Sequence, residues 1–543
     1  MLYLNPRMVN HLFRKQNSVL SAAAILMTAV LVSRLLGLLR DRFLAAYFFD
    51  PASAGQLDVY FAAFRLPDMV FQLLVVGALA AAFIPVFSSY FIKDKTEAWH
   101  VASTVISLGL VFFLLLAGLI FFLSEPLSRL IAPSFSAQEM VLMVTITRWL
   151  LLAQLSFLIS NFLTGILQSQ QHFIVPALAP IVYNLGIIIG ILWLSPIMGI
   201  FGPVAGVILG AFLHLVIQLP LVQATGFKFK LSFDWRHPGV RRIGRLMLPR
   251  TLALAVSQIE LTVAVFIATA LPAGSLAIFY FAQHLNSLPV GLFGATIGQA
   301  ALPALAQTAQ DSSLLKFKQL LISSLNQVLY LSMPAGMILL ILRLPAVRLA
   351  FGARSFPWEA TLLTGQAVAL FAISVFAQSA IQILVRGFYA LSNTRSPFVI
   401  GASAVAVNVF LSFIFVYRFG LGILGLALAI SLASFLHLGL LFWRLSRILG
   451  GFSADEFYLP VAKMTVATLL TGLSLWLPFR LLDKYIFNTT RTLELVGLSA
   501  VTVLIGLLVY GALSYLFKIK ELNHFFDLIK KVRHFYYDPI VYP

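Results

Sequence analysis

The chain has 543 residues, of which 60% are hydrophobic and only 10% are charged, and its mean hydropathy is +0.97. A soluble protein carries about 25% charged residues, so the composition excludes a soluble globular enzyme and predicts a polytopic membrane protein. The sequence contains no cysteine, which excludes disulfides, thiolate metal sites and cysteine nucleophiles. The net charge of +18 is explained by basic cytoplasmic loops, and no nucleic acid partner is predicted.

The apolar segments exceed twenty residues and lack the alternation of barrel strands, so we expect membrane-spanning α-helices. Fourteen spans are predicted, at residues 19–48, 57–89, 101–123, 140–168, 174–195, 201–223, 246–271, 275–307, 319–342, 360–391, 397–417, 421–443, 459–480 and 494–517. With the N-terminus inside, the inner segments hold 22 Lys and Arg residues and the outer loops hold 8. This bias predicts that both termini are cytoplasmic.

An internal repeat is visible in four pairs of residues whose offsets are 220, 218, 222 and 221 residues. The pairs are Tyr60 and Tyr280, Pro85 and Pro303, Gly165 and Gly387, and Pro176 and Pro397. A nearly constant offset is typical of duplication, and an offset of six helices preserves orientation. We therefore predict an all-α membrane protein with two parallel six-helix repeats that form two lobes around a central cavity, plus two C-terminal helices.

The predicted domains follow from this repeat. They are an N-lobe at 1–225, a basic cytoplasmic linker at 226–250, a C-lobe at 251–450, helices 13 and 14 at 451–517, and a basic amphipathic tail at 518–543. The linker interleaves large apolar residues with Lys and Arg, and the tail has one apolar helical face beside basic residues. Both patterns favour contact with an anionic lipid surface, so membrane lipids are expected partners.

The first predicted span carries the sequence SRLLGLLRD at 33–41. An arginine at the centre of a membrane helix costs about 2.5–3.5 kcal/mol, so such residues usually face a protein interior or a hydrated cavity. At about 100° per residue, Arg34, Arg40 and Asp41 lie with Ser33 within about a third of the helix circumference. These four residues are predicted to line a cationic cavity. The alternative is an arginine–aspartate pair that only fixes this helix to a neighbour.

The other predicted spans contain few charged residues, namely Asp58, Arg65, Asp68, Arg148, Glu260, Arg386 and Lys463. Asp58 and Arg65 are seven residues apart and share a helix face, so they either line the same cavity or form salt bridges between helices. Glu260 lies in an otherwise apolar span, where a buried carboxylate could bind a coupling cation or proton, or pair with an arginine of the first span.

A cavity with several arginines and few acidic residues favours an anionic ligand, and arginine donors suit phosphate and pyrophosphate. The P-loop and H-E-x-x-H sequences do not occur, so neither an ATPase site nor a zinc protease site is predicted. The nine histidines form no metal-binding pattern, and no cofactor is expected.

The sequences SRLLGLLRD at 33–41 and DVYFAAFRLP at 58–67 closely resemble the MurJ (MviN) family. Further similar sequences are Gly77-Ala, AFIP at 82–85, LPVGLFG at 288–294, ALP at 301–303 and GFY at 387–389 with Pro397. The resemblance covers most of the chain. It implies a flippase for lipid II, the undecaprenyl-pyrophosphate-linked peptidoglycan precursor, that works by alternating access in the bacterial inner membrane.

By that resemblance, the substrate-binding residues on the first two helices are Ser33, Arg34, Arg40, Asp41, Asp58 and Arg65. The chain departs from many members of the family at Phe71 and Gln72, near a basic pair, and at Gln283 and His284, where those members carry Asp-Arg. Gln283 and His284 are included as candidate substrate-binding residues. His284 can replace an arginine only when it is protonated.

Three other functions are alternatives. Within the same superfamily, the chain could be a Wzx-like flippase for other polyprenyl-linked saccharides or a multidrug extruder. A polyprenyl-phosphate sugar transferase would need an acidic pair near a membrane face, whereas Asp50 and Glu359 are isolated. A non-transporting scaffold for cell-wall assembly would tolerate the loss of Arg40.

Overall fold

The computed structural model describes residues 19–49, 54–76, 82–310, 314–353, 355–489 and 491–523. Within these ranges all regular structure is helical, and no strand occurs. Eleven of the described helices are long and apolar enough to cross a membrane. The predicted all-α membrane fold is therefore confirmed, whereas the predicted count of fourteen spans is not. The predicted spans outside these eleven are 19–48, 57–89 and 246–271, the last of which contains the shorter apolar helix Leu254–Ala268.

The described residues form two compact units. The first comprises Met1–Ile278 with Ala350–Pro357, and the second comprises Phe279–Leu349 with Trp358–Pro543. The lobe boundaries expected from the repeat stay a prediction. The apolar residues of the tail, Phe525, Phe526, Ile529 and Val532, lie outside the described residues.

The first unit contains twelve α-helices among its described residues. They are α1 Val19–Phe48, α2 Ala54–Ala63, α3 Arg65–Phe71, α4 Ile84–Lys93, α5 Lys95–Phe122, α6 Ser124–Ile131, α7 Ala137–Ser169, α8 Ile174–Ile189, α9 Ser195–Met198, α10 Phe201–Val216, α11 Leu219–Ala224 and α12 Pro238–Ala268.

Nine further α-helices follow, and they belong to the second unit from Phe279 onward except for the end of α16. They are α13 Ser275–Pro289, α14 Thr296–Thr308, α15 Leu315–Ile341, α16 Arg343–Phe351, α17 Trp358–Ala390, α18 Arg395–Phe413, α19 Gly422–Ile448, α20 Leu459–Tyr485 and α21 Thr492–Leu516.

The helix that carries Asp58 and Arg65 is broken between α2 and α3, at Phe64. Pro67 has no N–H, so it cannot bond the carbonyl of Ala63 four residues earlier. The Oγ1 of Thr147 on α7 donates to that carbonyl at 3.1 Å. A neighbouring helix thus satisfies the freed backbone group, as a membrane interior requires, and the break separates the two buried charges.

π-Helical turns occur at corresponding places in the two repeats. Gln72–Val76 follows α3 and Val290–Ala295 follows α13, with starts 218 residues apart (72 and 290). Gly190–Leu194 follows α8 and Ile414–Arg418 follows α18, with starts 224 residues apart (190 and 414). These offsets bracket those of the sequence landmarks. They indicate that the repeat preserves irregular backbone as well as residue identities.

Close backbone contact joins α8 and its π-helical turn to α10. A Cβ added to Gly186 would lie 2.4 Å from the Cα of Gly210, and one added to Gly190 would lie 2.5 Å from the Cα of Gly206. Only residues without a side chain permit this approach, which maximises van der Waals contact where no hydrophobic driving force between helices exists. The contact fixes the helix that lies against α1.

The linker between α11 and α12 runs along α5. The backbone N–H groups of Lys230 and Ser232 donate to the Oγ atoms of Ser103 and Ser107, at 3.4 and 3.3 Å. At the end of the linker, His237 contacts the Glu97 carboxylate at 2.6 Å. The large apolar residues of this segment stay exposed, namely Phe229, Leu231, Phe233 and Trp235. Its contact with a lipid surface stays a prediction.

In the second unit, α20 and α21 pack onto α15. A Cβ added to Gly472 of α20 would lie 2.5 Å from the Sδ of Met337. The hydroxyl of Tyr510 on α21 donates to the carbonyl of Tyr330 at 3.0 Å. The two C-terminal helices therefore share a core with the preceding helices of this unit.

Substitution of Gly190 by alanine is expected to destabilise the protein. The new Cβ would lie 2.5 Å from the Gly202 carbonyl oxygen and from the Cα of Gly206. Because both atoms belong to the backbone, the helices must separate, at a cost of about 1–3 kcal/mol. Thermal unfolding of the purified protein in detergent would measure this loss. Gly439→Ala is the control, since a Cβ at Gly439 meets nothing within 4 Å. An equal unfolding temperature for both variants would refute the packing role of Gly190.

Candidate functional site

Arg40 and Asp41 form an ion pair on α1. The Nε and Nη2 atoms of Arg40 donate to the same oxygen of Asp41, Oδ1, at 2.9 and 2.7 Å. The side chain of Asp41 is 2% exposed, whereas that of Arg40 is 20% exposed. The carboxylate thus compensates the guanidinium charge from the buried side, and part of the guanidinium remains accessible.

Asn184 of α8 connects this pair to Ser33. Its Oδ1 accepts from the Nη1 of Arg40 at 3.3 Å. Its Nδ2 donates to the carbonyl oxygen and the Oγ of Ser33, both at 3.2 Å, and to the carbonyl of Pro180 at 3.1 Å. Because Nδ2 faces three acceptors and Oδ1 faces a donor, the amide has one consistent orientation. Asn184 therefore fixes two residues that are seven positions apart on α1.

The sequence analysis did not select Asn184. A usable signal was present, because this side chain is the only amide in an otherwise apolar predicted span at 174–195. Two phenol rings, those of Tyr60 and Tyr183, also interact electrostatically with Arg40. The predicted arc of Ser33, Arg40 and Asp41 is thus surrounded by polar groups from two other helices.

Arg34 is half-buried on α1. The contacts described above join Ser33, Arg40 and Asp41, and the proposed position of Arg34 in the same cavity stays a prediction.

Asp58 is buried and accepts hydrogen bonds from the backbone at the start of α13. Its Oδ2 accepts from the N–H of Gly274 at 2.7 Å, and its Oδ1 accepts from the N–H of Ala277 at 2.8 Å. The first N–H groups of a helix have no partner within the helix and carry partial positive charge, so a carboxylate stabilises them. Gly274 has φ +90°, a conformation that favours glycine. Asp58 therefore anchors this helix start.

Arg65 is buried and contacts α12. Its Nε donates to the Oγ1 of Thr262 at 3.0 Å, and its Nη2 donates to the Oε1 of Gln258. Asp58 and Arg65, predicted to share one face, thus bond to different partners along the chain. Three residues later, Asp68 accepts a hydrogen bond from the Nε2 of Gln154 at 2.9 Å.

The remaining candidate residues lie at helix positions with partial exposure. Gln283 and His284 are half-buried on α13, and the ring of His284 lies 6.2 Å from that of Tyr280. Glu260 is half-buried on α12, two residues after the Gln258 that contacts Arg65. Among the described residues, no cluster of three or more His, Asp or Glu side chains could hold a metal ion.

At the positions where the chain departs from the resembling family, the structure places an aromatic contact and a π-helical turn. The ring of Phe71, the last residue of α3, lies 5.7 Å from that of Phe157 on α7. Gln72 begins the π-helical turn Gln72–Val76.

The arrangement on α1 suits an anion better than a cation. Arg40 presents a partly accessible planar donor group, and Asn184 and Ser33 hold its helix in place. Since Asp41 is directed toward Arg40 and buried, an approaching anion would compete with Asp41 for the guanidinium. Bidentate contact between arginine and phosphate is among the stronger polar interactions in proteins.

Comparison with known proteins gives one consistent result. The family model described as "Lipid II flippase MurJ" matches residues 44–495. The chain is 28% identical over 523 residues to a probable lipid II flippase MurJ of Bdellovibrio bacteriovorus, covering 94% of this chain and 96% of that protein. It is 27% identical over 429 residues to the lipid II flippase MurJ of Burkholderia cenocepacia, covering 77% of this chain and 82% of that protein.

Two solved structures share the fold. A lipid II flippase MurJ in an inward closed conformation matches with a TM-score of 0.76 and 24% identity, covering 91% of this chain and 98% of that one. An inward-facing MATE family multidrug transporter of the MOP superfamily matches with a TM-score of 0.64 and 15% identity, covering 79% of this chain and 98% of that one.

Substitution of Asp58 by alanine is expected to destabilise the protein by about 2–4 kcal/mol, because two buried N–H groups would each lose their acceptor. Asp58→Asn retains one acceptor oxygen and should lose less. Asp483→Ala removes an exposed carboxylate and serves as the control. Thermal unfolding in detergent measures all three. If Asp58→Ala unfolds at the same temperature as Asp483→Ala, Asp58 does not anchor α13.

Proposed function

The chain belongs to the MurJ family of lipid II flippases, and from this premise we propose that the cluster of Ser33, Arg40, Asp41 and Asn184 binds the pyrophosphate of lipid II. The protein is a transporter and not an enzyme. It is an integral protein of the inner membrane and moves lipid II across it, which supplies peptidoglycan synthesis.

The observation that carries this proposal is the partial exposure of a charge-compensated arginine. An isolated guanidinium inside a membrane is costly, and Asp41 offsets that cost while no substrate is bound. A pyrophosphate carries more negative charge than one carboxylate and accepts hydrogen bonds on several oxygens. It would therefore take over donors of Arg40 that Asp41 holds in the empty state. Release of Asp41 would then accompany binding, which gives the substrate a way to change the packing of α1.

The candidate residues on other helices have two roles in this proposal. Asp58 and Arg65 hold the start of α13 and the middle of α12, so their charges position helices around the substrate. Arg34, Gln283 and His284 would add polar contacts to the substrate, with His284 contributing a positive charge only when protonated.

We infer alternating access as the transport mechanism. Its support is the parallel repeat, since two like halves that rock about a central site are typical of secondary transporters. The driving force is the membrane potential or an ion gradient, with Glu260 as the proposed site for a coupling cation or proton. The excess of Lys and Arg in alternate connections supports cytoplasmic termini.

The first functional prediction concerns Arg40. Bacteria depleted of their own lipid II flippase should be rescued by this chain, but not by Arg40→Ala at the same membrane level. Arg40→Lys should rescue weakly, because lysine keeps the charge but loses the planar donors. Arg129→Ala, which removes an exposed arginine paired with Glu125, is the matched control and should rescue fully. Rescue by Arg40→Ala would remove Arg40 from the mechanism.

Asn184 should act through Arg40 and not through substrate charge. Asn184→Leu removes the acceptor of Nη1 and the donors to Ser33, so transport should fall about tenfold. Ser33→Ala should have a smaller effect, since Asn184 still donates to the Ser33 carbonyl. The rate at which lipid II becomes accessible to an impermeant lipid II-cleaving enzyme at the outer face would measure both. If Asn184→Leu transports normally, the amide is only a packing contact.

A further inference from the structure

An apolar groove of about 560 Å³ lies on the first unit between α5 and α7, away from the residues of α1. Its walls include Leu114 and Phe121 of α5 and Leu152 and Leu155 of α7, and Arg148 contributes the charged side chain among its lining residues. Leu114 and Leu152 are 55% and 59% exposed, which is typical of a surface that faces lipid. The transport mechanism uses none of these residues.

The depth of Arg148 can be derived from helix length. The 33-residue α7 is about 50 Å long, and the hydrocarbon core of a bilayer is about 30 Å thick, so about 10 Å extends at each end. Arg148 lies eleven residues after Ala137, or about 16 Å along the helix. Its Cα is thus about 6 Å below the hydrocarbon boundary, within reach of the headgroup region for a long side chain.

A second observation places Arg148 at the same level. Its Nε donates to the Oγ of Ser124 at 2.9 Å, and Ser124 is the first residue of α6. Glu125 and Arg129 of α6 are well exposed and form an ion pair, which marks the boundary with water. The groove therefore has its charged end at the headgroup level.

Its apolar part extends toward the middle of the membrane. From Phe121 to Phe113, both of which line the groove, α5 descends about 12 Å. On the other wall, Leu155 lies seven residues beyond Arg148 on α7. This sequence of a charged end followed by an apolar channel corresponds to a phosphate headgroup followed by an acyl chain.

The guanidinium of Arg148 is only partly used by the protein. Its Nε also donates to the Phe121 carbonyl at 3.1 Å, and its plane lies 4.8 Å from the Phe121 ring. Among the described residues, no acceptor is recorded for Nη1 or Nη2, and no carboxylate pairs with Arg148. Four N–H donors and a full positive charge thus remain for an anion in an apolar surrounding, where a phosphate contact is strongest.

We propose that this groove binds one anionic glycerophospholipid from the surrounding leaflet, with the phosphate on Arg148 and an acyl chain along Leu114 and Leu152. The floor beside Gly118 is open, since a Cβ there would meet nothing within 4 Å. The site is separate from the cluster on α1, so it concerns a resident membrane lipid and not the transported one.

Native mass spectrometry of the full chain in detergent tests the proposal. Dioleoyl phosphatidylglycerol and dioleoyl phosphatidylcholine are titrated separately, and the fraction of protein with one bound lipid is measured. Phosphatidylglycerol should bind about tenfold more tightly than phosphatidylcholine, and Arg148→Gln should remove this difference. The matched control is Arg480→Gln, because Arg480 is also exposed and lies over a ring, that of Trp476.

A second variant separates the groove from the charge. Gly118→Leu fills the open floor and keeps Arg148, so it should weaken phosphatidylglycerol binding even if Arg148→Gln proves difficult to purify. The proposal is overturned if Gly118→Leu binds phosphatidylglycerol as the parent does. It is equally overturned if the parent binds both lipids alike, or if Arg480→Gln loses as much affinity as Arg148→Gln.

Discussion

The compensation of charge inside the membrane is the constraint on which this structure depends. Each charged group of α1 to α3 described above bonds to a particular neighbour: Arg40 to Asp41 and Asn184, Asp58 to the start of α13, and Arg65 to α12. An uncompensated charge at this depth would cost several kcal/mol. These contacts therefore decide which helices must lie together, in addition to providing the site.

The rest of the first unit supports these contacts. Contact through glycine between α8 and α10 holds the helix that carries Asn184, and the glycine surfaces leave no room for an alternative register. The break before Arg65 is tolerated because Thr147 bonds the carbonyl that Pro67 leaves free. Irregular backbone thus occurs where another helix satisfies it, which is the general condition for broken helices in membranes.

The site on α1 and the groove on α5 and α7 illustrate two uses of arginine. Arg40 is paired with a buried carboxylate and remains partly accessible, so an anion can displace the carboxylate and leave again. Arg148 is held through Nε alone and has no recorded carboxylate among the described residues. The first arrangement suits a ligand that must be released, and the second suits a resident lipid.

Much of the fold followed from the sequence. Composition determined the membrane class and the helical secondary structure, because only helices and closed barrels satisfy the backbone in lipid. The charges of the first helix and their common face were also evident, since a helix places residues seven apart on one side. The resemblance on residues 33–41 and 58–67 identified the family.

The partners of those charges were decided only by the tertiary structure. Asp58 and Arg65 share a face in sequence, yet Asp58 bonds to backbone N–H groups and Arg65 bonds to α12. Asn184 became part of the site only because glycines allow α8 and α10 to approach closely. Periodicity assigns a residue to a side of its own helix, whereas the atom it meets depends on helix-to-helix distances that no single segment encodes.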